Sequence, residues 1–429
     1  MASKRHRVFI TRDIPQNALA RLKETVDVEF WHPETAGKQL PSNFSTYDAL
    51  FLSDVKTLFV DRNVLNEAGT KLKVIGTMSV GYDHIDVPAV KSKGILIGNT
   101  PDVLTEATAE LTVALLLCTA RRLIEASKQV TNGGWGTWSP LWMCGQGIHG
   151  STVGILGLGR IGLSVAEKLV PFKPDNIVYH TRNENPTAST LGFKHIAKRD
   201  EFWPIPDFII ICCALTPETR HVVNAEAFSA MKSNCIVINT SRGPVINQDA
   251  LYDALVHRKI RASGLDVSDP EPMSPDDKLL KLDNFVMLPH IGSATEKARN
   301  AMAELTVDNI LAGLEGFLTE LWNHFIADQE ALGSIPLGLF EEKKEEFKKK
   351  ERPCAATRKD CERERREKQR AVEIDRERVR AEAAVAAATA EAQRTPSELV
   401  VGSGSTTTEE NKRRSSSPHS SRIGIGRQS

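Results

Sequence analysis

The 429-residue sequence predicts an α/β chain with two parallel sheets, each covered by helices, followed by a tail of different character. Three observations carry this. Short β-rich runs alternate with helix-length connections in two separate series. A glycine-rich turn joins strand to helix at the head of the second series. Beyond residue 328, charge replaces hydrophobic patterning.

The first series is "RVFIT" (7–11), "VDVEFW" (26–31), "ALFLS" (49–53), "VIGTMS" (74–79) and "ILIGNT" (95–100). One long helix is expected over 104–130, opened by Thr105 and Glu106 and closed by Gly133 and Gly134. The second series is "TVGILG" (152–157), "NIVYHT" (176–181), "FIIICC" (208–213), "CIVINT" (235–240), "SGLDV" (263–267) and "FVMLP" (285–289). Six such runs fit a doubly wound nucleotide-binding sheet, and a final helix is expected over 293–316.

In the tail, 28 of the 40 residues from Glu341 to Arg380 are charged, with both signs interleaved, so the stretch reads as a solvated helix or disorder. Its only large apolar residue before Arg370 is Phe347, which argues against a coiled coil. The alanine-rich run 381–394 favours helix, and the Ser/Thr/Gly-rich end from Gly402 favours disorder.

Lys plus Arg and Asp plus Glu number 55 each, which leaves no electrostatic footprint for nucleic acid or an anionic membrane. The apolar runs at 113–118 and 208–215 are too short to span a bilayer, so no membrane partner is expected. The basic start reads as a strand, and the end carries no peroxisomal address. None of the seven cysteines has zinc-ligand spacing; they are expected as reduced thiols in a cytoplasmic protein, with no metal site.

"GLGRIG" supplies Gly157, Gly159 and Gly162 in G-x-G-x-x-G spacing between a strand and a helix. Gly157 suits the tight turn, Gly159 lets a pyrophosphate approach the backbone, and Gly162 lets helix and strand pack closely. The helix start offers free N–H groups to phosphate. The next strand, "IVYHTR" (177–182), should end on a carboxylate for the ribose of NAD, yet it ends on Arg182. An arginine there pairs with the 2′-phosphate of NADPH; the competing reading leaves Glu184 to bind a ribose hydroxyl.

Three polar residues follow strands of the same sheet. Arg242 lies beyond the fourth, with a planar fork suited to a substrate carboxylate. Glu271 sits between two prolines in "SDPEPM", and His290 follows the last strand in "LPHIGSAT". Each alone is more often structural than functional. Together they place an acid, a base and a guanidinium on one sheet edge, and a Glu facing a His favours an imidazolium able to donate a proton.

The segments "TMSVGYDHID" (77–86), "NTPDVLTEATAELTVALLL" (99–117), "STVGILGLGRIG" (151–162), "NTSRGPVINQDAL" (239–251), "GLDVSDPEP" (264–272) and "LPHIGSAT" (288–295) resemble the D-isomer-specific 2-hydroxyacid dehydrogenases. Within that family, residues 132–155 resemble the eukaryotic glyoxylate/hydroxypyruvate reductases. The resemblance implies two Rossmann-like parallel-sheet domains. A flavodoxin-like substrate domain, 1–103 with 291–328, would receive an inserted NAD(P)-binding domain, 104–290, ahead of the tail 329–429. It implies NADPH as cofactor, NADH serving more weakly, a small 2-oxo acid substrate and a homodimer.

By position, the resemblance implies that Arg242 anchors the substrate carboxylate, His290 protonates the carbonyl oxygen and Glu271 keeps His290 charged. Val80 and Gly81 would contact the carboxylate through their backbone. Leu52 and Trp138 would shape the pocket, Trp138 from a partner subunit. Gly159, Arg160 and Ile161 would hold pyrophosphate and Arg182 the 2′-phosphate, while Ala214, Thr240, Asp266 and Gly292 would line the cofactor cleft. The rival within the enzymes is another D-2-hydroxyacid dehydrogenase, such as a phosphoglycerate type. Outside them it is a dinucleotide-sensing corepressor of the C-terminal-binding-protein kind. Those corepressors resemble NAD binders with an acid where Arg182 stands, and they lack the "NGGW" run.

Overall fold

In the computed structural model, residues 5–31 and 40–315 are described; the expectations for 316–328 and for the tail 329–429 fall outside the described residues. The first sheet has five parallel strands in the order β2-β1-β3-β4-β5: β1 (Arg7–Ile10), β2 (Asp27–Phe30), β3 (Ala49–Leu52), β4 (Val74–Thr77) and β5 (Leu96–Gly98). The second has seven, in the order β12-β11-β10-β9-β6-β7-β8, also parallel. Its strands are β6 (Thr152–Leu156), β7 (Asn176–His180), β8 (Lys194–His195), β9 (Phe208–Ile211), β10 (Ile236–Asn239), β11 (Ala262–Leu265) and β12 (Phe285–Met287). Both are Rossmann-like. The seventh strand, β8, is a two-residue edge strand beyond the six runs expected.

The period-2 alternation of the strands explains why each sheet carries a core on both faces. In the first sheet, Val8, Ile10, Phe51 and Val74 face one cluster, while Phe9, Leu50, Leu52 and Ile75 face the other. In the second, Ile209, Ile211 and Val237 point one way, and Phe208, Ile210, Ile236 and Ile238 the other. Each fully buried Ile or Leu contributes roughly 1.5–3 kcal/mol by leaving water.

Two helices connect the sheets. Helix Thr105–Ala120 lies on the second sheet, with Leu115 and Leu116 in its core and the Thr112 hydroxyl 2.7 Å from that of Thr240. Helix Glu296–Leu314 returns to the first sheet, where Met302, Ala303, Val307 and Ile310 cover the Val8/Ile10 face. It rides close over β4, since a side chain at Gly76 would meet Ile310 Cγ1 at 2.8 Å. Asn309 donates to the carbonyl of Asn99, and Arg21 pairs with Glu304 and Asp308.

The single helix expected over 104–130 is in fact two, Thr105–Ala120 and Leu123–Thr131. The break is Arg122, at φ 56° in the left-handed region, whose guanidinium grips Glu125 at 2.6 and 2.8 Å. Core packing ends there, because the second helix buries none of its residues. Among the described residues, no helix is long and apolar enough to cross a membrane.

Candidate active site

The glycine turn forms a cradle. Gly157 has φ +95°, and a Cβ there would lie 2.5 Å from the Cys213 nitrogen, so only glycine fits without displacing backbone. A Cβ at Gly159, by contrast, meets nothing within 4 Å, which leaves open space over the turn. Helix Arg160–Leu169 starts at Gly159 without a side-chain cap, so its first N–H groups remain for an anion. These features fit a dinucleotide pyrophosphate. The Arg160 side chain is held aside, its Nε 2.6 Å from Asp102 Oδ1, which leaves the backbone to serve the phosphate.

Arg182 lies just past β7 and is exposed. The Glu218 carboxyl is held below its usual range, first by a hydrogen bond from Thr216 and also by the Arg182 charge, which puts Arg182 toward the loop after β9. Ala214 is exposed in that loop, and its carbonyl accepts from the Thr219 hydroxyl at 2.7 Å. Glu184, the competing ribose ligand, instead accepts from Ser189 Oγ at 2.7 Å.

At the carboxyl edge of the second sheet, His290 adopts φ +54°, a conformation that strains a non-glycine residue. Asp266 holds the turn. Its backbone oxygen accepts from His290 N at 2.9 Å, and its carboxylate oxygens accept from Ile291 N and Gly292 N at 2.8 Å each. Burial pushes the Asp266 carboxyl above its usual range against those hydrogen bonds. Asp266 therefore supports the histidine turn, a role beyond the cofactor-cleft lining expected of it.

His290 Nδ1 lies 2.5 Å from Glu271 Oε1. Burial raises the Glu271 carboxyl, but the hydrogen bond and charge of His290, with the charge of Lys56, outweigh it and hold the group below its usual range. An ionised Glu271 accepts, so Nδ1–H donates, and Nε2 is the nitrogen left to face the cleft. Gln248 steadies the glutamate loop through two hydrogen bonds to the Asp269 backbone, at 2.7 and 2.8 Å. Lys56, from the loop after β3, reaches Glu271 Oε2 at 3.9 Å.

Arg242 follows β10 and crosses to the first sheet, where its Nε donates to Asp83 Oδ1 at 2.8 Å. Its Nη1 donates to the Ser241 carbonyl at 2.9 Å, and its Nη2 lies against Gly81 so closely that a side chain at Gly81 would overlap it. The Gly81 loop is fixed through its carbonyls. Val80 O accepts from Asn99 Nδ2 at 2.9 Å, and Gly81 O accepts from Ser79 Oγ at 2.6 Å. The N–H groups of Val80 and Gly81 find no backbone or side-chain acceptor among the described residues.

A buried chain stands behind this loop. Ser79 spends its hydrogen on Gly81 O, so it accepts from Thr77 Oγ1 at 2.8 Å, and Thr77 accepts from His84 Nε2–H at 3.1 Å. His84 is 2% exposed, and its Nδ1 has no partner among the described residues. Burial drives its pKa down to about 4. The folded value lies below the unfolded one of about 6.5, so the stability His84 confers is complete above pH 6.5. It is lost as pH falls toward 4, by about 3 kcal/mol. NMR titration of the ring should give a midpoint near 4; a midpoint near 6.5 would rule this out.

Two groups thus form at the carboxyl edge of the second sheet: Arg242 against the Val80–Gly81 loop, and His290 on Glu271, with Asp266 holding the histidine turn through Ile291 and Gly292. Leu52, expected to shape the pocket, is 0% exposed; it packs with Phe9, Ile75 and Ile97, and the following loop reaches the site through Lys56. Trp138 is 81% exposed on the arm after helix Leu123–Thr131, among the exposed Leu123, Ile124, Trp135 and Leu141. Asp83, Lys56 and His84 escaped the sequence reading. Their only signal was proximity to "SVGYDHID" and to the end of β3, and neither states a role.

A model of the D-isomer specific 2-hydroxyacid dehydrogenase NAD-binding domain matches residues 113–292. The chain is 46% identical over 316 residues to human (Homo sapiens) glyoxylate reductase/hydroxypyruvate reductase, covering 72% of this chain and 95% of the relative. It is 38% identical over 311 residues to a glyoxylate reductase of Korarchaeum cryptofilum, covering 72% and 93%. Among solved structures, it resembles an NADPH-dependent glyoxylate/hydroxypyruvate reductase of Sinorhizobium meliloti in complex with NADP and malonate. That match has TM-score 0.64 and 33% identity, over 72% of this chain and 93% of the other.

Proposed function

The chain belongs to the D-isomer-specific 2-hydroxyacid dehydrogenase family, and on that premise we propose that it reduces glyoxylate to glycolate and hydroxypyruvate to D-glycerate. The family makes it an NAD(P)H-dependent oxidoreductase. NADPH is the preferred donor and NADH the weaker one, a reading supported by Arg182 at the end of β7 and by the engagement of Glu184 with Ser189. One observation carries the mechanism: His290, locked by Glu271 at 2.5 Å, and Arg242 both follow strands of one sheet at its carboxyl edge.

The bound dinucleotide supplies the hydride that reaches C2 of the 2-oxo acid. Arg242 and the N–H groups of Val80 and Gly81 hold the substrate carboxylate. His290 gives its Nε2 proton to the C2 oxygen, and Glu271 steadies the charged ring. Gly157, Gly159, Ile161 and Gly162 offer backbone to the pyrophosphate beside Arg160, and Arg182 takes the 2′-phosphate. Ala214, Thr240, Asp266 and Gly292 line the remaining cofactor cleft. Residues 104–290 act as the cofactor domain, and 1–103 with 291–328 as the substrate domain. The exposed apolar arm that carries Trp138 is assigned to a second copy of the chain, which brings that tryptophan to its partner's pocket.

The test is steady-state oxidation of NADPH and NADH with glyoxylate, hydroxypyruvate and pyruvate, on protein whose mass is read by light scattering. Fastest turnover with NADPH and either of the first two substrates, by a dimer, is the expected outcome. NADPH oxidation no faster with these acids than without them would end the substrate reading, and a single-chain mass would end the dimer.

A further inference from the structure

We propose that Asp83 is a positioning residue of the carboxylate site, bracing Arg242 through Nε so that its terminal nitrogens face the 2-oxo acid. The proposal rests on the reading of Arg242 as the carboxylate anchor. A guanidinium has five N–H donors. Asp83 takes the one on Nε, at 2.8 Å, and the Ser241 carbonyl takes one on Nη1, at 2.9 Å. Three remain, all on the terminal nitrogens, where a carboxylate binds edge to edge.

An acid beside an anion-binding arginine can act in two opposite ways. As a competitor it occupies the donors that substrate needs, and its removal lowers KM. As a brace it fixes the fork, and its removal raises KM. The geometry decides for the brace, because the ion pair joins Oδ1 to Nε and leaves the terminal edge uncovered. The pair is also well sheltered, with side chains only 16% and 23% exposed, so it is a strong charge-assisted contact rather than a loose surface one. The Arg242 guanidinium outweighs the burial of Asp83 and holds that carboxyl below its usual range.

Asp83 also sets register. It lies two residues beyond Gly81, in the loop whose Val80 and Gly81 N–H groups are the other donors of the site. Arg242 comes from the other sheet, 159 residues along the chain. A brace anchored in the Gly81 loop therefore ties the distant guanidinium to the local N–H pair, and a carboxylate meets both at a fixed separation. Gly81 completes the seat, since any side chain there would overlap Nη2.

The experiment compares Asp83→Ala, Asp83→Asn and Arg242→Ala in the full chain, with glyoxylate varied at saturating NADPH. Asp83→Ala should raise the glyoxylate KM by ~10–30-fold with little change in kcat or in the KM for NADPH. Asp83→Asn keeps an acceptor for Nε and should recover most of the loss, a rescue that a merely structural defect does not give. If Asp83→Ala fails to fold, Asp83→Ser, too short to reach Nε, replaces it in the same comparison. An unchanged or lowered KM, or an Asn variant as impaired as Ala or Ser, overturns the brace. Arg242→Ala with an unchanged glyoxylate KM would instead sink the anchor reading on which it rests.

Discussion

Replacing His290 by alanine is expected to lower kcat for 2-oxo acid reduction by ~10²–10⁴-fold, the usual worth of a positioned proton donor. Binding of NADPH, followed by its fluorescence, should survive. The expectation comes from how fully the ring is committed. Asp266 holds the turn through three hydrogen bonds, Glu271 takes Nδ1, and only Nε2 remains for the cleft. Because the residue sits at φ +54°, alanine adds backbone strain of its own. His290→Asn is the control, since asparagine tolerates the left-handed region. It should keep the fold and still lose turnover. An Asn variant within tenfold of the parent kcat would remove His290 as the donor.

The second large effect concerns the choice of cofactor. Arg182→Asp is expected to weaken NADPH by ~10²–10³-fold while leaving NADH nearly unchanged. A charge-assisted contact of roughly 1.5–3 kcal/mol is lost and repulsion between carboxylate and phosphate is added. Arg182 is exposed and only lends charge to the exposed Glu218, so little internal structure depends on it. Glu184 does not take its place, because Ser189 holds that carboxylate. Fluorescence titration with each dinucleotide measures the ratio. Equal weakening of both would mean that the substitution damaged the cradle, and an unchanged ratio would remove Arg182 from cofactor selection.

Much of the architecture was legible because strand burial follows local alternation. Val8 and Ile10 face one core and Phe9 the other, a pattern written in three consecutive residues. The Arg242, Glu271 and His290 positions were legible for a related reason, since each directly follows a β-rich run and strand ends are where such sheets bind ligands. What stayed hidden depended on distance. Nothing beside Asp83 or Lys56 announces that Arg242 and Glu271 come from the opposite sheet to meet them. The break at Arg122 was hidden because the apolar pattern continues through Leu123 and Ile124, which the fold leaves exposed. The edge strand β8 was too short for any period to show.

The returning helix Glu296–Leu314 has a consequence for how the chain is made. The first sheet is complete in sequence at Gly98, yet the face bearing Val8, Ile10, Phe51 and Val74 is covered largely by Met302, Ala303, Val307 and Ile310. On a ribosome moving at ~5–20 residues per second, the intervening roughly 200 residues take on the order of 10–40 s. Throughout that interval the nascent chain carries an apolar β-surface covered only in part, by Ala18, Leu19 and Leu22 of helix Gln16–Thr25. The cofactor sheet, whose strands and helix Thr105–Ala120 all lie within the intervening stretch, can close its own core first. The oldest part of the polypeptide is therefore the last to be finished.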